Sequence, residues 1–328
     1  MMKNDFLVSV RCISYNHASY IKDCMNGFTM QETTFPYVCV IDDDASTDGE
    51  PEVITNYLAE YFNINDKDVV RNEETDDYRM IFAQHKTNKN CFFAVYFLKY
   101  NHYSIRKSRD SYVSEFVDGT KYMAICEGDD YWTDPLKLQK QIGFLEAHSD
   151  YSMCFHRAQI LKEYEHKVSL KCNDIDDREY NPNELFKKWK VPTASIVAKH
   201  EVLDVQNVGS ERILNGDIVF VLNCAKIGKI RGMSDIMSVY RVQGSGVTYD
   251  PQAQYYRKKK YPEHFLFIKD NYPFLKKFLV NRAIARAYLN RRKVQQTKKA
   301  YIKDFLLAFY YNPVFFIDKI DYLRNKGR

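Results

Sequence analysis

The sequence predicts a mixed α/β fold with a helical C-terminal region, and three observations carry that expectation. Two β-loop-α units follow one another at the N-terminus, further apolar runs stop at short acidic or polar turns, and past Asp250 the pattern changes to helices. With 328 residues, 45% of them hydrophobic and 28% charged, the chain can bury a sizeable core and is too apolar for a disordered one. Only 12 Gly and 9 Pro are present, with no repeat of solenoid length, which excludes fibrous and repeat architectures.

The elements follow in order. Leu7 to Ser14 is an apolar, β-rich run, Tyr15 to His17 a polar loop, and Tyr20 to Gln31 has helical spacing. Pro36 to Ile41 is a second buried-type strand, followed by Asp42 to Asp44, and Thr47 or Asp48 is expected to cap a helix over Val53 to Phe62. Two such units imply a parallel sheet with function at the carboxyl ends of its strands. Residues 63–118 yield only a short strand at Arg79 to Ala83. Lys121 to Cys126 reads as another strand, Pro135 to His148 as an amphipathic helix, Ser152 to Lys162 and Thr193 to Lys199 as strands, Asp217 to Ile227 as a helix and Met237 to Val242 as a last strand. Domains are expected at 1–250 and 251–328, the latter helical and broken near Pro262, Pro273 and Pro313.

Charge divides the chain. Residues 251–328 carry 19 Lys and Arg against five Asp and Glu, or +14, whereas residues 1–250 sum to -9. The basic tail is interleaved with Tyr256, Phe265, Phe267, Tyr272, Phe274, Phe278, Phe305, Phe309, Phe315 and Phe316, a composition suited to lying on an anionic bilayer face. Its longest apolar stretch, Phe305 to Ile317, is broken at Asn312 and Pro313 and falls short of a spanning helix. No two of the eight cysteines have C-x-x-C spacing, so buried thiols in a reducing cytosol are expected. The opening residues do not read as a signal peptide, which also predicts a cytoplasmic protein.

Glu127, Gly128, Asp129 and Asp130 follow directly on an apolar strand. Gathered carboxylates need compensating positive charge, and an all-oxygen set favours Mg²⁺ or Mn²⁺ shared with substrate phosphates. The alternative is a solvated acidic turn with Asp134 capping the next helix. Asp42 to Asp44, at the other acidic strand end, can accept hydrogen bonds from a base or ribose. Neither G-x-G-x-x-G after the first strand nor G-x-x-x-x-G-K-[ST] occurs, which argues against a dinucleotide-binding domain and a P-loop. His17, His85, His102 and His156 lack metal-ligand spacing and read as satisfied surface or core residues; Lys86 and Lys89 read as a solvated loop.

The succession VSVRCISYNHASYIKDCMNGFTMQ, PYVCVIDDDASTDG, KYMAICEGDDYWTDPLKLQKQIGFLE and ILNGDIVFVLNCAKIGKI resembles the family-2 glycosyltransferases of bacterial surface-polysaccharide synthesis. The resemblance covers roughly residues 5–245. It implies a GT-A fold with a Rossmann-like mixed sheet, a nucleotide-sugar donor of UDP type, a Mn²⁺ or Mg²⁺ ion, and inverting transfer to a saccharide or lipid-linked acceptor. It assigns Ser14, Tyr15, Asn16, Asp43, Asp44 and Glu127 to the donor nucleotide, with Asp44 at the base. Asp129 and Asp130 fall to the metal and diphosphate, Tyr131 and Trp132 to the acceptor side, and Asp217 to the catalytic base. By spacing alone Asp217 reads as a helix N-cap. Two departures stand out: Gln243 replaces a His that some relatives carry, and Glu127 replaces Asp at the head of the acidic motif. Location at the inner face of the cell membrane follows from such an acceptor, and specificity would lie in loops such as 85–118.

Other classes remain. A sugar nucleotidyltransferase would want a glycine-rich basic loop after the first strand, which Ser14 to Ser19 does not supply. The basic tail also fits a nucleic-acid-binding module, with weak, salt-sensitive binding expected.

Overall fold

The computed structural model describes residues 6–65, 70–162, 167–169, 174–243 and 250–314, with backbone alone for 167–169. Cys172, Phe315, Phe316 and residues 244–247, which the sequence readings include, lie outside the described residues. β1 (Val8–Ser14), α1 (Ile21–Thr29), β2 (Tyr37–Asp43) and α2 (Glu50–Tyr61) form the two expected N-terminal units. β3 (Arg71–Glu74), β4 (Tyr78–Gln84), β5 (Cys91–Leu98), α3 (His102–Ile105) and α4 (Asp110–Val117) fill the stretch in which only one strand was expected. Then come β6 (Tyr122–Ile125), β7 (Tyr131–Trp132), α5 (Lys137–Ala147), β8 (Tyr151–Lys162), β9 (Lys167–Ser169), α6 (Pro182–Lys187), β10 (Val197–Lys199), α7 (Gly216–Ile227) and β11 (Lys229–Val242). The chain continues through α8 (Pro251–Asn271), α9 (Lys277–Arg292) and α10 (Lys298–Tyr311).

Several expectations change. β2 runs on through Asp42 and Asp43, because its ladder with β1 continues to Ser14 opposite Asp43. The N-cap of α2 is Gly49, at φ 93°, rather than Thr47 or Asp48, although Asp48 still accepts from the Glu50 amide at 3.1 Å. Thr193–Ser195 is a 3-10 turn ahead of β10 rather than strand. β11 starts eight residues before Met237, and register shifts between Met233 and Ser238 explain why the early half lacks a clean alternation. Pro262 lies buried inside α8 and does not break it.

The strands form one sheet in the order β3-β4-β5-β2-β1-β6-β10-β8-β11-β7, with β9 on β8. β5, β2, β1 and β6 run parallel, and β10 is antiparallel to both β6 and β8. β1 therefore lies between β2 on one side and β6 on the other, and the strand order reverses there. Such a switch point opens a crevice beyond the carboxyl ends of the strands.

The chain groups into two compact units. The first comprises Met1–Tyr180, Lys190–Asp204 and Cys224–Val242 and holds the whole sheet. Its core includes Val10, Cys12, Phe28, Tyr37, Phe62, Phe93 and Trp132. The second comprises Asn181–Trp189, Val205–Asn223 and Gln243–Arg328, so the C-terminal helices share a unit with two segments from earlier in the chain. Val219 and Leu222 of α7 pack there with Phe267 and Ile268 of α8 and with Tyr272, which caps it. The seven described cysteines are buried free thiols, and no helix among the described residues is long and apolar enough to cross a membrane.

Candidate functional site

At the switch point the chain ends of β1 and β2 are tied by their loops. The Asp44 amide donates to the Ser14 carbonyl at 2.9 Å. Asn16, held at φ 58°, donates its amide to Ser46 Oγ at 2.8 Å and accepts the Thr47 amide on Oδ1 at 2.8 Å. Its side chain is thus a strut between two loops, whereas Tyr15 projects outward and is exposed. The His17 amide donates to Glu50 Oε2 at 2.7 Å and that of Ala18 to Asp48 Oδ2 at 2.9 Å, which fixes the entry into α1. These side chains supply acceptors where the backbone leaves sheet geometry.

Three successive carboxylates leave β2 in different environments. Asp42 receives Arg11 at 3.2 Å, and burial raises its pKa despite that partner. Asp43 accepts the Ser46 amide at 3.2 Å, and burial pushes it up to about 6. Asp44 is turned inward: its oxygens accept the amides of His102 at 2.7 Å and Tyr103 at 3.0 Å, with Arg109 at 3.5 Å. Where the sequence reading placed Asp44 at the base, both of its oxygens serve the first turn of α3.

The acidic turn after β6 sits against β1. The Gly128 amide donates to the Ile13 carbonyl at 3.0 Å, and a Cβ on Gly128 would come within 2.1 Å of Ser14 Oγ. Only glycine allows this approach. Asp130 is fully buried; Oδ1 accepts the Arg241 amide at 2.8 Å, while Oδ2 is buried with no hydrogen-bond partner. Burial, with the Asp129 charge adding to it, holds the Asp130 carboxyl well above the usual carboxylate range. Asp129 is partly open, and Glu127 is exposed. The compensating charge that the sequence reading ascribed to a metal comes in part from Arg241. Its guanidinium donates to the Asp129 carbonyl at 3.0 Å and pairs with Asp23, with the rings of Tyr131 and Tyr20 at 4.5 and 5.0 Å. Sequence reasoning missed Arg241, which lies in the same YRVQ segment as Gln243.

Among the described residues no three His, Cys, Asp or Glu side chains converge as a cation cluster. The orphaned Asp130 oxygen, with the partly open Asp129 beside it, nevertheless fits the mode in which Mg²⁺ or Mn²⁺ takes one or two carboxylates and completes its sphere on substrate phosphates.

Trp132 is not on an acceptor face. It is buried, its Nε1 donates to the Ala194 carbonyl at 2.9 Å, and its ring meets Phe28 at 4.8 Å and Lys137 Nζ at 4.1 Å. Tyr131, its neighbour across the pleat of β7, stays partly open against Arg241.

In the second unit α7 begins at Gly216, so Asp217 stands inside the first turn rather than at the cap. It is partly buried, and among the described residues its carboxylate has no hydrogen bond or ion pair. The turn before it is held by α8: His264 Nδ1 accepts the Leu214 amide at 3.3 Å, and Arg257 donates to Asn215 Oδ1 at 3.1 Å. Burial lowers His264 to about 4.

No family model matches the chain. Uncharacterized proteins of Mycobacterium bovis and Mycobacterium tuberculosis are each 30% identical over 240 residues, 73% of this chain and 60% of theirs. The chain thus spans about 60% of the length of these curated relatives. Among solved structures, S. aureus TarS 1–349 in complex with UDP-GlcNAc matches with a TM-score of 0.54 at 13% identity, over 92% of this chain and 81% of that one. A second structure of that fragment gives 0.52 at 14% identity, with the same coverage. The fold is the GT-A type.

Proposed function

We propose that this chain is an inverting glycosyltransferase that moves a sugar from a nucleotide-sugar, of UDP type, to a saccharide or lipid-linked acceptor in surface-polysaccharide synthesis. The observation that carries the reading is the convergence at the switch point of the Ser14–Asn16 loop, the raised carboxyl of Asp43 and the turn bearing the orphaned Asp130 oxygen. A GT-A fold and the printed ligand of TarS, UDP-GlcNAc, support it. Asp129 and Asp130 would hold a Mn²⁺ or Mg²⁺ ion, whose charge would offset that growing on the leaving diphosphate. Asp217, open to a proton in the first turn of α7, takes it from the acceptor hydroxyl as that oxygen attacks the anomeric carbon.

Isothermal titration of UDP, GDP and dTDP with Mn²⁺, and again with EDTA, tests the donor side. Binding of one nucleotide that weakens at least tenfold in EDTA is expected, since the carboxylates otherwise face a diphosphate with like charge. Equal affinity would remove the metal from the reading, and no binding by any nucleotide would remove the donor.

The acceptor side is a peripheral contact with an anionic membrane at the cytoplasmic face. Lys299, Lys303, Leu306 and Tyr310 follow one stripe of α10 at helical spacing, and Leu306 and Tyr310 are 59% and 75% exposed. Flotation with anionic vesicles at low salt should carry the protein, and failure to float would make the acceptor a soluble saccharide.

A further inference from the structure

His17 lies outside every expectation drawn from spacing, yet the fold brings it to the acidic turn. Its Nδ1 is 3.1 Å from Ser14 Oγ, and its Nε2 is 3.9 Å from Asp129 Oδ2. Neither side chain is sealed off, His17 being 19% exposed and Asp129 22%. The ring is held from several sides. Its own carbonyl accepts the Tyr20 and Ile21 amides at 2.8 Å, its amide is fixed on Glu50, and a Cβ on Gly128 would stand 3.2 Å from Nδ1.

At 3.9 Å, Nε2 and Asp129 Oδ2 are too far apart for a hydrogen bond. Two donors on one cation, each at about 2.1 Å, stand between about 3 and about 4.2 Å apart as the angle between them opens from cis to trans. The observed gap would need an angle of about 137°, between the octahedral cis and trans values, so a small turn of either side chain brings both donors onto one ion. Metal-bound imidazoles usually spend the other ring nitrogen on a fixed acceptor, which sets the tautomer. Ser14 Oγ, at 3.1 Å, can serve as that acceptor: in the tautomer that carries the proton on Nδ1, the lone pair of Nε2 is left for a cation beside Asp129. Independently of this pair, Oδ2 of Asp130 is buried with no hydrogen-bond partner.

We propose that His17, oriented by Ser14, is a nitrogen ligand of a divalent cation shared with Asp129. The inference rests on the reading that such a cation accompanies the nucleotide donor, and it makes the site one of mixed nitrogen and oxygen donors. Mixed donors favour Mn²⁺ and Co²⁺ over Mg²⁺, because imidazole binds the later ions more strongly. The role that the Gln243 departure leaves open would then fall to a histidine from the loop after β1.

Pulsed electron paramagnetic resonance of Mn²⁺, alone and with UDP, GDP and dTDP in turn, reads the ligand directly. The full chain should show imidazole nitrogen modulation, shifting to the ¹⁵N pattern on labelling histidine with ¹⁵N, and His17→Gln should lose it. Titration should give at least a tenfold weakening of Mn²⁺ in His17→Gln, with a smaller loss for Mg²⁺. Ser14→Ala should weaken Mn²⁺ without abolishing the nitrogen signal. Bound Mn²⁺ with no imidazole modulation in the unmodified chain overturns the role of His17 and leaves the donor reading standing. Absence of any Mn²⁺ binding, with or without nucleotide, overturns both. Because the decisive spectrum comes from the unmodified protein, poor folding of a variant does not blur the outcome.

Discussion

The acidic turn after β6 and the turn before α7 present carboxylates by opposite means. Asp129 and Asp130 leave a strand in the middle of the sheet, and a backbone ladder sets their place: Gly128 bonds to Ile13 of β1, and Asp130 takes the Arg241 amide from β11. Asp217 stands on a helix whose entry is held by side chains of another helix, His264 and Arg257. The difference teaches that the strand-end site is fixed by hydrogen bonds between elements far apart in sequence. The Asp217 turn depends instead on the packing of Val219 and Leu222 against α8. A strand-end site tolerates little change of backbone, whereas a helix-borne one can be retuned by its supports.

The largest effect expected is at Asp217. Asp217→Asn keeps the shape of the side chain and removes its basicity, so transfer to a true acceptor should fall by about 10²- to 10⁴-fold. Nucleotide affinity should stay within a few fold, because the residues proposed to hold the donor belong to the other unit. Steady-state turnover alongside nucleotide titration measures both. Near-normal turnover would return Asp217 to an ordinary place in a helix and leave the strand-end site as the whole of the chemistry.

This contrast was only half legible in the sequence. β1, β2, β6 and α7 were readable because each combines an apolar run or helical period with a polar stop. β5 was not: CFFAVYFL is eight buried residues with no period, and such a run is equally a strand or a buried helix until its neighbours are known. The acidic motifs were visible as residue types, but the direction each side chain takes was not. Asp44 turns to the amides of His102 and Tyr103 because α3 begins there, and α3 lay in a stretch that gave no pattern. Trp132 looked like an aromatic beside a site and is core, because β7 pairs with β11 and alternation sends it inward. His17 and Arg241 are 112 and 111 residues from Asp129 and Asp130, so no local spacing could join them to the site.

A smaller effect should separate the two regions by stability. Arg241 is buried, and its guanidinium and amide serve Asp129, Asp130 and Asp23. Arg241→Leu keeps the amide and leaves the carboxylates without their nearest fixed cation. Losing a buried guanidinium that bonds the Asp129 carbonyl and the half-exposed Asp23 costs about 2 kcal/mol. The loss should be confined to the sheet-bearing unit, and the position of tryptophans makes that readable: the two in the chain are Trp132, in the first unit, and Trp189, in the second. Denaturant unfolding followed by Trp132 fluorescence in a Trp189→Phe background should shift, and the signal of Trp189 in a Trp132→Phe background should shift less. Equal shifts would mean that the units unfold as one, and the contrast between them would lose its energetic meaning.

The smallest effect is also the one in which the regions should differ in sign. Asp43 has its carboxyl raised to about 6 by burial, against about 3.9 in an unfolded chain. A raised carboxyl favours the folded state while protonated, so its contribution is fully present below about 4 and is lost as pH rises through 6. Near neutral pH the ionised group therefore stands as a cost on the first unit of up to about 3 kcal/mol. His264 runs the other way. Burial depresses it to about 4 from about 6.5, so its contribution to the second unit is present above 6.5 and is lost as pH falls toward 4. Between pH 6.5 and 4.5 acid should therefore help the strand-end region and weaken the helical one. Asp43→Asn, which keeps an acceptor for the Ser46 amide, should raise the midpoint reported by Trp132 at pH 7 and abolish its gain in acid. His264→Asn, which keeps an oxygen for the Leu214 amide, should flatten the acid loss reported by Trp189. Slopes of the same sign in both reporters would show that other titrating groups outweigh these two, and that the difference between strand-end and helix-borne carboxylates does not extend to acid.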